Sequence, residues 1–202
     1  TYGRVEASIK LPKTYKGLWP AFWMMGTDVG NGVSWAACGE IDILEAGAAA
    51  GMSTVEKSES YINGACHWGS GWESGQHWNS SRFKQIEWSL QDDEFHLFTL
   101  IWTQKTIRCY VDLDRHPDQD PYFSMDISRE RIREGVANNA PQYFHKPFYL
   151  MFNLAVGGDY PNIRQPEMVS ALSLEGGEAR MYVDYVRIWH SPDAAYHTPY
   201  RP

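Results

Sequence analysis

Short runs in which apolar and polar residues alternate dominate the chain, and helical periodicity is nearly absent. GRVEASIKL sets Val5, Ala7 and Ile9 against Arg4, Glu6, Ser8 and Lys10, the period of a half-buried strand. Seven further runs read as strands: GLWPAFWMM, EIDIL, YINGACHWG, EFHLFTLIW, TIRCYVDL, PFYLMFNLAV and ARMYVDYVRIW. Eight strands without intervening helices predict an all-β fold, an antiparallel two-sheet sandwich or jelly roll. Only SRERIREG (128–135), with Ser128 as N-cap and Gly135 at its end, predicts a helix, of two turns. Turn residues gather at 26–32, 69–76, 112–121 and 157–166. The aspartates of DLDRHPDQDP lack the central Gly and terminal Glu of a calcium-binding EF-hand loop, so that stretch reads as a solvated hairpin. One domain is expected over 1–196, with HTPYRP (197–202) as a tail.

Composition narrows the partner. At 202 residues and 43% hydrophobic content the chain can bury one sizeable core. A formal charge of -7 and a pI near 5.5 give no long-range attraction for nucleic acid, anionic lipid or a sulfated polymer. A neutral partner fits better. Nine Trp and twelve Tyr suit a β-rich core, and the excess of Trp also suits stacking on sugar rings. Cys38, Cys66 and Cys109 stand far apart with no CxxC pair; they allow one bridge at most, or three isolated thiols, and no zinc knuckle. No apolar run approaches the roughly 20 residues of a membrane span. The chain has no signal peptide and opens in a strand pattern without an initiator Met, so it reads as the mature remainder, or a part, of something longer.

GEIDILEAG (39–47) carries the candidate chemistry. Residues two apart on a regular strand share a face, so Glu40 and Asp42 point one way while Ile41 and Ile43 supply the core. Glu45 then falls on the Ile side, where an unpaired carboxylate would be costly. One extra residue near Ile43 and Leu44, a β-bulge, resets the alternation and brings Glu45 round to the other acids. Crowded carboxylates shift one another's pKa values, and glycoside cleavage uses such a pair as nucleophile and proton donor. In this reading Glu40 and Glu45 are that pair, and Asp42 between them hydrogen-bonds the nucleophile. The competing reading is surface charge on a half-exposed strand.

GEIDILE resembles the E-x-D-x-x-E signature of family 16 glycoside hydrolases, in the bulged form of their laminarinase (endo-β-1,3-glucanase) branch. TYGRVEASIKLP, GLWPAFWMMG, FHLFTLIWT, IRCYVD, FYLMFNLAVGGDYP and MYVDYVRIW resemble further blocks of that family, in its order, from Tyr2 to Trp189. The resemblance implies a concanavalin A-like jelly roll whose concave sheet forms an open cleft, where a polysaccharide is cut internally with retention of configuration. It implies Glu40 as nucleophile, Asp42 as assisting acid and Glu45 as general acid/base. Trp19 and Trp23, which share a parity, match a cleft-lining pair, and Asn153 matches a cleft-facing amide. His67 and Trp68 match a stretch beside the catalytic strand; neighbours on a strand face opposite ways, which favours His67 near the acids. His96 and Trp102 share a face with Phe98 and Leu100, which fits a core or a cleft position equally.

The chain departs from the family pattern in beginning where members have usually laid down one or more strands. No cofactor is expected for catalysis. The resemblance implies only a structural calcium, with Asp184 as a ligand and the others drawn from the absent upstream region. The expected partner is a β-glucan polysaccharide or oligosaccharide and the expected state a monomer. A polymer too large to enter a cell implies an exported enzyme: secreted, periplasmic or at the cell surface. A galactan such as agar or carrageenan, or a carbohydrate-binding sandwich without turnover, are the alternatives.

Overall fold

The computed structural model describes residues 1–71, 76–129, 131–133, 136–170 and 176–190. The strands in chain order are β1 (Gly3–Lys10), β2 (Leu18–Gly26), β3 (Glu40–Ala46), β4 (Tyr61–Gly71), β5 (Gln76–Gln85), β6 (His96–Trp102), β7 (Thr106–Val111), β8 (Phe123–Asp126), β9 (Arg131–Arg133), β10 (Val136–Asn138), β11 (Phe148–Val156) and β12 (Tyr182–Trp189). Two five-stranded sheets face each other, one in the order β12-β1-β6-β7-β8 and the other β11-β2-β3-β4-β5, with β9 and β10 as a separate ribbon. Every pairing in the two large sheets is antiparallel. All eight runs expected from alternation are strands, and the architecture is the jelly roll they predict.

The core lies between the sheets. Val5, Ala7 and Ile9 of β1, Phe98, Leu100 and Trp102 of β6 and Ile107, Cys109 and Val111 of β7 meet Phe22 and Met24 of β2, Ile41, Ile43 and Leu44 of β3 and Ile62, Cys66 and Trp68 of β4. Removing this apolar surface from water is the main favourable term in folding. The three cysteines are buried thiols with no bridge among them. On the sheet that carries β3, the residues alternating with these core positions point to the opposite face, and that face carries the site.

The sequence expectations fail where local pattern competes with pairing. The helix expected over 128–135 is instead the β9–β10 ribbon over its described part, with Arg133 opposite Val136. Ser128 does not cap a helix; its backbone N–H and hydroxyl both donate to Asp126 Oδ1, closing a turn at the end of β8. Conversely, a five-residue helix, α1 (Val55–Glu59), is too short for periodicity to signal; Thr54 caps it by accepting from the Lys57 N–H. β5 escapes the search for strands because QHWNSSRFKQ has no alternation, and as an edge strand with both faces largely open to water it needs none. The stretch 112–121 joins the antiparallel pair β7 and β8 as a hairpin and is solvated over 114–118, but Asp112 is buried and holds His96 and Trp88. The tail expected at 197–202 lies outside the described residues.

Candidate active site

A β-bulge sits on β3 where the carboxylate spacing demands one. Against β2, Phe22 pairs with Leu44 and the next residue, Trp23, pairs with Asp42, leaving Ile43 as the extra residue. Against β4, Asp42 pairs with Ala65 and Glu45 with Asn63, so Ile43 and Leu44 together oppose Gly64. Both side chains turn into the core with no exposed surface. The Tyr122 hydroxyl donates to the Ile43 carbonyl, capturing a backbone group that the bulge takes out of the ladder. Tyr122 and Phe123 can approach only because residue 64 is glycine: a Cβ there would lie 2.6 Å from the Phe123 Cβ.

The consequence is that Glu40, Asp42 and Glu45 share one face. They line an open pocket of about 260 Å³ with Trp19, Ala21, Trp23 and Asn153. Each acid has its own surroundings. Glu40 Oε2 accepts from Trp35 Nε1 at 2.8 Å. Glu45 is held at both oxygens, from Trp19 Nε1 at 3.1 Å and Asn63 Nδ2 at 2.9 Å. Asp42 is only 4% exposed, and its Oδ2 accepts no hydrogen bond among the described residues. His67, opposite Glu40 in the ladder, brings Nε2 to 3.4 Å from that oxygen. The other ring nitrogen of His67 lies 3.0 Å from His77 Nε2, and the two rings stack under Trp35.

Burial dominates the electrostatics. It pushes Glu40 up to about 7, against the pull of the Trp35 N–H and with help from the Glu45 charge. Burial, then the charges of Glu45 and Glu40, raises Asp42 well above the carboxylate range. Glu45 is raised by burial too, and its hydrogen bonds from Asn63 and Trp19 work in the opposite direction. The three acids titrate as a coupled group, so the apparent pKa values belong to the group rather than to one member. Burial, and then the neighbouring His77, lowers His67 to about 4, so its imidazole is uncharged at neutral pH.

This arrangement carries a stability cost of defined sign. The folded protein binds the Glu40 proton more tightly than the unfolded chain, so the favourable contribution is full below 4.5 and is lost as pH rises towards about 7. Glu40→Gln, which cannot ionise, is expected to match wild type in thermal stability at pH 4 and to exceed it by several degrees at pH 8, an effect of at most a few kcal/mol. Equal stability at pH 8 would mean that burial of Glu40 carries no such cost.

The aromatic and amide positions divide. Trp19 and Trp23 both reach the pocket: Trp19 stacks on Tyr160 with centroids 4.7 Å apart, and Trp23 Nε1 donates to Asn153 Oδ1 at 2.7 Å. His67 faces the acids, whereas Trp68 turns into the core and packs edge-on against Phe144, as adjacent residues on an unbent strand must. Trp102 is likewise a core residue, edge-on to Tyr2 and Phe148. His96 lies on the other sheet, where Asp112 holds Nδ1 at 2.7 Å and Asp92 holds Nε2 at 3.0 Å. Burial opposes its charge, but these two carboxylates outweigh that and raise its pKa. Trp68, Trp102 and His96 therefore stand outside the cleft. Asp184 is exposed on the edge strand β12, and no cluster of three or more potential metal ligands among the described residues includes it.

Trp35, Asn63, His77 and Tyr160 also build the site, although alternation does not single them out. Asn63 and His67 follow from the β3–β4 register, His77 from its place near His67 across the β4–β5 hairpin, and Trp35 and Tyr160 come from loops.

Residues 1–118 match the sequence profile of Glycosyl hydrolases family 16. Glucan endo-1,3-beta-glucosidase A1 of Niallia circulans is 32% identical over 188 residues, 93% of this chain and 24% of that protein. The beta-1,3-glucan-binding protein of Penaeus monodon is 30% identical over an alignment of 227 residues, covering 93% of this chain and 58% of that one. Among solved structures, a family 16 endo-glucanase from Bacteroides ovatus, in complex with G4G3G-2F-DNP, superposes with a TM-score of 0.75 at 36% identity over 94% of this chain and 70% of that chain. The chain thus spans about a quarter of the length of the Niallia circulans relative. With the profile match over more than half its length, a jelly roll shared with that endo-glucanase and the acids gathered on one face, the chain belongs to glycosyl hydrolase family 16.

Proposed function

We propose that the protein is an endo-acting hydrolase of β-1,3 or mixed β-1,3/1,4 glucans that works with retention of configuration. The observation that carries this reading is the convergence of Glu40, Asp42 and Glu45, through the β3 bulge, on a pocket walled by Trp19 and Trp23. In the first step a Glu40 oxygen attacks the anomeric carbon, the bond from that carbon to the glycosidic oxygen breaks, and Glu45 gives its proton to the departing oxygen. In the second, water attacks the same carbon, Glu45 takes the water proton, and the ester to Glu40 breaks. Asp42, whose pKa is raised by burial and by its neighbours' charges, has an oxygen within 4.8 Å of one of Glu40's, and when the substrate is bound it donates a hydrogen bond to the Glu40 carboxylate and favours its ionised form. The hydrogen bonds to both Glu45 oxygens fix that carboxyl at the leaving-group position.

Trp19 and Trp23 bind glucose rings by stacking, and Asn153, held by Trp23, takes a sugar hydroxyl. The names of the Niallia circulans and Bacteroides ovatus relatives support glucan as the substrate. The protein acts outside the cytoplasm, where such polymers are found, as a monomer and without a cofactor. The Penaeus monodon relative supports a second reading, binding without turnover. Three buried carboxylates whose ionisation is costly are of no use to a binding module.

Mass analysis of products from laminarin, barley β-glucan and agarose separates these readings. Internal cleavage of laminarin, of barley β-glucan or of both, with agarose untouched, is expected. Products from agarose alone would overturn the glucan assignment, and binding with no products would favour the second reading.

A further inference from the structure

Glu40, Asp42 and His67 each offer one donor atom, and the three atoms lie within 4.8 Å of one another. They are the sole group of three or more such donors among the described residues. Two further observations point to a ligand. Asp42 Oδ2 is buried, faces His67 and accepts no hydrogen bond among the described residues, an arrangement that leaves a polar atom unsatisfied at a cost. The imidazole of His67 also has a partner for its far nitrogen, His77 Nε2 at 3.0 Å. A ligating histidine characteristically donates its second N–H to an acceptor, usually a carboxylate, carbonyl or water, which fixes the tautomer that turns a lone pair to the metal; here His77 Nε2 takes that place.

We propose that Glu40, Asp42 and His67 bind a borderline-soft divalent cation of the zinc class in the mouth of the active site, with His77 orienting His67. Carboxylate oxygens and imidazole nitrogens are both Zn²⁺ ligands, and three protein donors leave the fourth position to water. Mg²⁺ and Ca²⁺, hard cations that take oxygen ligands, gain little from the imidazole. The cation draws the donors together by side-chain rotation, since Zn²⁺ sits about 2.0–2.2 Å from each nitrogen or oxygen ligand. Binding needs this geometry and both carboxyls deprotonated. Its consequence, inhibition by removal of Glu40 from attack, rests on the proposed function.

Isothermal titration of the full chain with ZnCl₂ tests the site. One Zn²⁺ per chain is expected, with Mg²⁺ and Ca²⁺ silent at the same concentrations. His77→Gln is expected to weaken the affinity about 10- to 100-fold, as loss of an outer-shell partner does, and His67→Gln by more. Thermal melting of each variant shows whether it is folded. If His67→Gln does not fold, the His77→Gln titration decides alone. Absence of Zn²⁺ binding, or an affinity unchanged in the folded variants, would overturn the site. In a parallel assay Zn²⁺ is expected to suppress laminarin cleavage with the same affinity. Binding without any turnover of glucan would strike the proposed function and leave the site standing, whereas turnover in a protein that binds no Zn²⁺ would strike the site alone.

Discussion

Glu40→Gln is expected to lower kcat/KM on the glucan that wild type cleaves by a factor on the order of 10⁴ or more. Deletion of a covalent nucleophile leaves only the contribution of binding and of the remaining groups. The substitution keeps the shape of the side chain and, by removing a buried ionisable group, does not weaken the fold at neutral pH. Loss of activity together with unchanged or higher thermal stability therefore separates a chemical role from a structural one. Glucan binding by the variant should persist, since Trp19 and Trp23 are untouched. Activity within tenfold of wild type would remove Glu40 from the reaction.

Glu45→Gln is expected to behave differently. A missing general acid costs about 10²- to 10⁴-fold when the leaving group is a sugar alcohol that must be protonated. With a dinitrophenyl glycoside, whose leaving group departs as a stable anion, the first step should proceed near the wild-type rate. Glycosyl enzyme then accumulates because no base activates the water. The variant should therefore show a burst of dinitrophenol followed by slow turnover, and Glu40→Gln should show no burst. If both variants fail equally on the activated substrate, the division of roles between the glutamates is wrong.

These contrasts depend on a local device that is legible in the residues themselves. The parity conflict between Asp42 and Glu45 requires an extra residue, and the register on both sides of β3 contains it at Ile43. Alternation also recovers the eight strands that have one buried and one open face or are buried throughout. It misses β5, whose two faces are similarly wet, and it reads 128–135 as a helix because Ser128, a cap residue, here serves in a turn.

Within the site, parity says that Trp19 and Trp23 share a face. It does not say which of two apolar-looking faces meets the other sheet. That is why Trp68 and Trp102, both large aromatics next to polar residues, lie in the core, and why His96 is a buried ion-paired residue away from the cleft. Trp35 and Asn63 reach the acids, and His77 and Tyr160 the His67 and Trp19 rings beside them, through strand register and loop path, and neither is set by neighbouring residues. The raised pKa values have the same origin: burial is their largest cause, and it is set by the strands and loops packed round the acids rather than by their sequence neighbours.

The covalent step is the centre of the proposed mechanism, and trapping it is the most direct test. A 2-deoxy-2-fluoro laminari-oligosaccharide with a dinitrophenyl leaving group slows both steps but leaves the first faster than the second. Incubation followed by proteolysis and mass sequencing identifies the esterified residue. The adduct is expected on Glu40; an adduct on Glu45, or cleavage of glucan by an enzyme that never carries one, would contradict the mechanism.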